Sequence, residues 1–400
     1  MMQASAELRL GVIGSGARRN LANCLHRPGE GSRLVAAADV DPEALERFRK
    51  KAGADTFVTA DYREVLARTD VDAVLVLSPD DRHEEHAVAA LEARKPVYLE
   101  KPMAITIEAC DRILEAAART GTKLYVGHNM RHAPFVLKMK ELLAAGLIGP
   151  VQAVWCRHFI AYGGDAYFKD WHSERRHTTS LLLQKAAHDI DVIHWLAGAY
   201  TATVVGMGRL SVYDKCARRK PDEAGDASWC VENWPPLAQR DLSPNIDVED
   251  HSMILMQLDN GVQCCYLQCH YTPDSCRNYT FIGTQGRIEN RGSNGNAVVE
   301  ARTVRRNGYG DPDAIHETER VAGGHGGADP RTAAEFIRYI REGIATHTSP
   351  VAARYAVAAG VMGTQSLRSG NTPQSIPPLD KALARHFERE QRSPTGDPSC

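Results

Sequence analysis

From Leu8 to about Pro150, short apolar runs recur, each followed by a stretch whose apolar positions repeat every three or four residues. The runs are Leu8 to Ile13, Arg33 to Ala38, Ala73 to Leu77, Val97 to Leu99 and Lys123 to Val126. Unbroken apolar runs suit strands buried on both faces, and alternation of strand with helix predicts a parallel sheet wrapped on both sides. The punctuation agrees. Asp41-Pro42 opens one helix, Asp61 caps the next, and Gly121 closes the one that begins near Thr106.

After Gly149-Pro150 the pattern changes and strands begin to follow one another: Val151 to Phe159, then Thr203 to Leu210, Ser252 to Leu258 and Val262 to Cys269, with a helix from about Leu181 to Leu196. Asp259-Asn260-Gly261 predicts a tight hairpin, since Asn and Gly both tolerate positive φ. The expected fold is α/β. A doubly wound parallel sheet occupies 1–150, an α+β domain with an open, mostly antiparallel sheet occupies 151–380, and a charged tail, 381–400, is expected to be disordered. An open sheet has a face or edge to cover, which predicts a homo-oligomer, dimer or tetramer, joined through that sheet. Tyr213 to Glu249 carries Pro221, Gly225, Pro235, Pro236 and Pro244 without a clear period and reads as a long loop. Its Trp229 and Trp234 either stack on a sugar ring or pin the loop to its own domain.

Composition narrows the function classes. The chain has 400 residues, 43% of them hydrophobic and 24% charged, which suits a globular protein of about two domains. A net charge of -2 offers no field that would gather nucleic acid or an anionic membrane. No apolar stretch approaches the ~20 residues of a bilayer span, and only a few polar residues precede Leu8. A cytoplasmic protein without signal peptide is the expectation. The 10 cysteines include no C-x-x-C pair and are expected to be reduced thiols, with no metal site.

The candidate chemistry starts at Gly14-Ser-Gly16-Ala17-Arg18, where a strand runs through a glycine turn into a helix and brings backbone amides close to a pyrophosphate. Asp39, at the end of the second strand, can accept hydrogen bonds from a ribose and repel a 2′-phosphate, favouring NAD over NADP. Arg18 and Arg19 pull the other way, since either guanidinium could approach that phosphate. Lys101 places an ammonium where a short buried strand meets its loop, which is costly unless something anionic or reactive needs it. Helical spacing sets Gln184, His188, Asp191 and Trp195 along one stripe, and His188 titrates near working pH, as a general base should.

The glycine turn, Ser78-Pro79-Asp-Asp-Arg-His83, Glu100-Lys101-Pro102, Val126-Gly-His-Asn129-Met-Arg131 and His188-Asp-Ile-Asp191-Val-Ile-His-Trp195-Leu-Ala-Gly198 together resemble the glucose-fructose oxidoreductase and inositol dehydrogenase family, Gfo/Idh/MocA, from about Leu8 to Pro378. The resemblance implies a Rossmann domain that binds NAD through Gly14, Gly16, Ala17, Arg18, Asp39, Ser78, Pro79, His83, Glu100, Lys101 and Asn129. It also implies a cis peptide at Lys101-Pro102 that turns Lys101 toward nicotinamide and substrate, with Lys101, His188 and Gln184 as the catalytic set. Substrate contacts are expected from Arg131, Trp171, His172, Arg175, Thr179, Lys185, His188 and His325. Three departures stand out. Arg19 replaces the third glycine, Gln184 stands where relatives commonly carry aspartate, and Thr178-Thr179-Ser180 replaces a glycine run. Lys185 either contributes to the site or points to solvent, and Arg175-Arg176 either binds an anionic sugar group or is a solvated loop.

The function expected from these residues is an NAD-dependent oxidoreductase that takes a hydride from a secondary hydroxyl of a sugar, glycoside or cyclitol. The alternative is an NAD-dependent glycoside hydrolase working by transient C3 oxidation, elimination, water addition and re-reduction, on an anionic glycoside. A non-catalytic cofactor sensor is the third class, opposed by retention of Lys101 and His188.

Overall fold

The computed structural model describes residues 7–16, 18–223, 225, 228, 230–293 and 296–391. The chain forms two compact units: Met1–His132 with Gly323–Arg354 and Pro378–Cys400, and Ala133–Ala322 with Tyr355–Pro377. The boundary expected at 150 therefore falls at 132, and the first unit takes back two later segments. The helix Ala328–Glu342 explains the first return, because its Ala333, Phe336 and Tyr339 complete a buried cluster with Leu10, Val12, Leu75, Tyr98 and Tyr125. Of the tail expected to be disordered, Lys381–Gln391 is a helix, and 392–400 lie outside the described residues. Asp380 caps it, accepting from the amides of Ala382 and Leu383 at 2.8 and 3.0 Å, and its Phe387 is 2% exposed.

The first unit carries six parallel strands: β1 Leu8–Ile13, β2 Ser32–Ala38, β3 Phe57–Thr59, β4 Ala73–Val76, β5 Val97–Leu99 and β6 Leu124–Val126. Their order is β3-β2-β1-β4-β5-β6, so the direction of winding reverses between β1 and β4. The three-residue β3 has too little apolar character to be visible in the sequence pattern.

The second unit is a nine-stranded sheet. Its strands are β7 Val151–Phe159, β8 Thr201–Arg209, β9 His251–Leu258, β10 Gln263–Cys269, β11 Cys276–Gly283, β12 Gly286–Arg291, β13 Val298–Arg302, β14 Ala314–Glu317 and β15 Gln374–Ser375. The order is β14-β13-β12-β11-β7-β10-β9-β8-β15, antiparallel except where β7 and β10 run parallel. The β9–β10 loop is the expected hairpin with a different turn. Only Gly261 has positive φ, at 89°, because a three-residue loop needs one left-handed position rather than two.

Alternation gives this sheet two unlike faces. The helix Leu181–Ala197 packs against β7 and β10 on one face, where registered neighbours form a polar row, Arg277, His158, Gln268 and Ser252, and beside it Tyr279, Cys156, Tyr266 and Ile254. The opposite face shows Trp155, Cys265, Leu255 and Val205 in register, with Trp155 59% and Leu255 61% exposed.

Candidate active site

In the first unit every described residue expected at the cofactor follows the carboxyl end of a strand, the edge at which open parallel sheets bind ligands. Gly14 follows β1 with φ +86°, and a Cβ there would lie 2.6 Å from the backbone nitrogen of Ser78. Only glycine fits this crossing. A Cβ on Gly16 would meet nothing within 4 Å, so the turn keeps an open, side-chain-free approach to its amides. Ala17 lies outside the described residues. Asp39 follows β2 and is oriented by the turn itself: its Oδ2 accepts from Ser15 N at 2.6 Å and Ser15 Oγ at 3.1 Å, and its Oδ1 from Asp41 N at 3.0 Å.

Several of the other expected cofactor contacts are committed to protein groups. Arg18 donates through Nε to Glu100 Oε1 at 2.7 Å and pairs with Asp329 at 3.2 Å, so its guanidinium braces the loops rather than waiting for a 2′-phosphate. Burial works against that charge, but Glu100 and Asp329 keep it firmly protonated. Glu100 spends its second oxygen on the Lys101 amide at 2.7 Å. His83 was expected at the cofactor, yet its ring nitrogens face the carbonyls of Pro102 at 2.7 Å and Ser78 at 2.9 Å. It clasps the loop after β4, which Pro79 leads into a short 3-10 turn, to the loop after β5. The Lys101-Pro102 peptide is cis, as the resemblance implied.

Asp329 is the residue that sequence reasoning missed. It accepts from Asn129 Nδ2 at 2.7 Å and His325 Nδ1 at 3.0 Å as well as from Arg18, and although burial opposes ionisation, His325 and Arg18 hold its carboxyl well below the usual range. Its only signal was its place at the end of the Gly323-Gly-His-Gly-Gly loop. The amide oxygen of Asn129, Oδ1, is buried with no hydrogen-bond partner. The side-chain-free turn, the oriented Asp39 and this acceptor all fit a bound dinucleotide. Nearby, Arg131 donates to the carbonyl of His347 at 2.6 Å. Glu335 gathers Tyr125 at 2.8 Å, His132 at 3.2 Å and His347 at 2.7 Å, distances of a hydrogen-bonded carboxylate.

In the second unit the helix Leu181–Ala197 is capped by Ser180, whose Oγ accepts from Leu183 N at 3.0 Å. The turn before it is tight: Thr179 has φ +61° and ψ -54°, and Ser180 N donates to Thr178 O. That is a strained γ-turn for a non-glycine residue, at the place where the resemblance led one to expect glycine. Gln184, Lys185, His188 and Asp189 are all buried on the helix.

Asp189 anchors the polar row beneath. It accepts from His158 Nδ1 at 3.0 Å, the hydroxyl of Tyr266 at 3.1 Å and that of Tyr279, and it forms an ion pair with Arg277, whose Nε lies 3.1 Å away. Burial raises a carboxyl, but Arg277 and His158 outweigh it and hold this one ionised. Burial pushes His158 and His270 down to about 3, so both imidazoles are neutral. Against an ordinary 6.5, the folded chain refuses protons that the unfolded chain takes up. Stability is therefore present above pH 6.5 and lost as pH falls toward 3. Thermal melts between pH 7 and pH 4 should show a steady fall in midpoint, with a slope that approaches about 1.4 kcal/mol per pH unit for each histidine. A flat profile would contradict their neutral state.

The loop expected to offer cations offers none that are uncompensated. Arg175 bonds the carbonyl and carboxylate of Asp247, both through 2.6 Å contacts, and pairs with Glu249, while Arg176 pairs with Glu174 at 3.0 Å. Trp171 stacks on His172 with ring centroids 3.7 Å apart, and His172 bonds Asp170 at 2.6 Å.

Family models match both parts of the chain: the oxidoreductase family NAD-binding Rossmann fold over residues 8–128, and the oxidoreductase family C-terminal alpha/beta domain over residues 140–375. The chain belongs to the Gfo/Idh/MocA oxidoreductase family. An inositol 2-dehydrogenase of Burkholderia lata is 30% identical over 260 residues, 64% of this chain and 70% of the relative. The structure of levoglucosan dehydrogenase in complex with NADH and levoglucosan is 20% identical, with a TM-score of 0.73, covering 93% of this chain and 100% of that one. An oxidoreductase domain protein from Kribbella flavida gives 21% and 0.74, over 93% and 100%. As a Gfo/Idh/MocA oxidoreductase this protein binds NAD. None of the described helices is long and apolar enough to cross a membrane.

Asp39 offers a test of the choice of dinucleotide. Asp39→Ser removes a ribose acceptor and a charge that repels a 2′-phosphate. It is expected to raise KM for NAD about 10-fold and to make NADP usable, as steady-state assays with each cofactor would reveal.

Proposed function

We propose that this protein is a dehydrogenase acting on a secondary hydroxyl of a carbohydrate, a sugar, glycoside or cyclitol, with NAD as acceptor. The observation that carries this reading is the grouping of Gly14, Asp39, Ser78, Lys101 and Asn129 after the carboxyl ends of β1, β2, β4, β5 and β6, about the point where the winding reverses. The names of the relatives, inositol and levoglucosan dehydrogenase, support a cyclic polyol substrate. Nicotinamide supplies the hydride acceptor.

The chain's own residues handle the oxygen and its proton. The Lys101 ammonium stabilises the alkoxide character that grows on the substrate oxygen, and the His188 imidazole accepts the proton. Gln184, one turn before His188, orients as a neutral amide but cannot stabilise an imidazolium as a carboxylate would. NADH formation on a panel of sugars and cyclitols tests the reading; release of an aglycone without NADH would replace it by redox-neutral glycoside hydrolysis.

The uncovered sheet face supports self-association. Trp155, Leu255, Met207 and Met253 are each at least 40% exposed on it, which is a contiguous apolar patch that a second copy can cover. The double substitution Trp155→Glu with Leu255→Glu should convert the oligomer into monomers in light-scattering chromatography, and an unchanged mass would reject this face. All nine described cysteines are free thiols, which supports a cytoplasmic location.

A further inference from the structure

The second unit holds a buried cation, Lys185, with which no carboxylate among the described residues pairs. Lys185 is 7% exposed, and its ammonium donates to the hydroxyl of Tyr167 at 2.7 Å and lies 5.1 and 6.0 Å from the ring centres of Tyr167 and Tyr162. Burial opposes its charge, while Tyr167 and Tyr162 together raise it above the ordinary lysine range. The other charged and titratable groups that act on this cluster are Arg277, Asp189, His158 and His270. Arg277 and Asp189 neutralise each other at 3.1 Å, and both histidines are neutral. The Lys185 ammonium is left with phenol oxygens as its partners.

A buried ammonium without a carboxylate partner is expensive to maintain, so a binding partner is its natural explanation. Two more buried atoms near this row lack partners. Gln268 Nε2, a donor, sits in register with His158, and His270 Nε2 is left as an acceptor because its Nδ1 donates to the Asp250 carbonyl at 3.2 Å. A cation, a free donor and a free acceptor match an anionic group carried beside a hydroxyl. Tyr162, 37% exposed, gives the cluster an open side.

We propose that the Lys185, Tyr162 and Tyr167 cluster binds an anionic substituent of the substrate, a carboxylate or sulfonate, and that the preferred substrates are acidic sugars rather than neutral polyols. This rests on the carbohydrate dehydrogenase reading above, and on the helix that carries His188 three residues beyond Lys185. The compensated Arg175 and Arg176 are not this site.

The test compares matched pairs, D-glucose with D-glucuronate and with its 6-sulfonate, and D-galactose with D-galacturonate, using the full chain with NAD. In the wild type an acid should show a KM at least 10-fold below its neutral partner. Lys185→Met should raise the acid's KM by 30-fold or more while moving the neutral sugar's KM less than 3-fold, and Lys185→Arg should restore part of the loss. Which acid responds separates carboxylate from sulfonate. Equal KM values for acids and neutral sugars in the wild type overturn the proposal and leave the dehydrogenase reading standing, whether or not the variants fold. Calorimetry of the NADH-bound wild type with each acid gives the converse: binding that Lys185→Met abolishes, with no NADH formed from any sugar, upholds the anion site and removes the dehydrogenase reading.

Discussion

Lys101→Met is expected to lower kcat for carbohydrate oxidation by about 1,000-fold while NADH still binds, the largest catalytic effect of any single substitution in this chain. The side chain can be removed cleanly because its backbone is held by other groups. Glu100 accepts from the Lys101 amide and from Arg18, Arg18 is tied to Asp329, and His83 holds the Pro102 carbonyl. Methionine keeps the length and loses the charge, so the loss reports what an ammonium does for an oxygen gaining negative character. NADH titration by fluorescence checks that the fold and cofactor site persist. A loss below 10-fold with intact binding would move the electrostatic role to another residue.

Asp189→Ala is expected to cost about 3–5 kcal/mol of stability, the largest structural effect. One carboxylate takes bonds from His158, Tyr266 and Tyr279, on three different strands, pairs with Arg277, and is itself 0% exposed. Its removal leaves the Arg277 guanidinium buried with its main counter-charge gone and takes the acceptor of the Tyr279 hydroxyl, while Tyr266 keeps Gln268 Oε1. Urea unfolding measures the loss. Adding Arg277→Met should recover part of it, because removing both charges costs less than orphaning one. If the single variant loses less than about 1 kcal/mol, water reaches the row and the network is not the anchor described.

Much of this was legible in local pattern. The first sheet announced itself by buried runs such as Val97-Tyr-Leu99, and Gly14 by its position after one. What could not be read was pairing across distance. Arg175 and Arg176 looked like an anion site because Asp247 and Glu249 lie more than 70 residues away in sequence, and only the fold brings those carboxylates to Arg175. Lys185 looked as ready for solvent as for burial, since Tyr167, which receives its ammonium, lies 18 residues earlier in the chain. Asp329 was hidden for the same reason, 311 residues from Arg18. The helix at 381–391 was masked by its charges, while Leu383 and Phe387, one turn apart, carry its apolar side.

The return of residues 323–354 to the first unit bears on how the protein is made. A ribosome that has finished His132 has delivered all six strands of the parallel sheet but not Phe336 and Tyr339, which cover Tyr98 and Tyr125, nor Glu335 and Asp329. The nucleotide-binding half must therefore wait, incomplete and with aromatic surface showing, until some 200 further residues have emerged, a period in which nascent chains depend on chaperone cover. A chain cut after His132 would keep the six strands and lose the aromatic cover of Tyr98 and Tyr125.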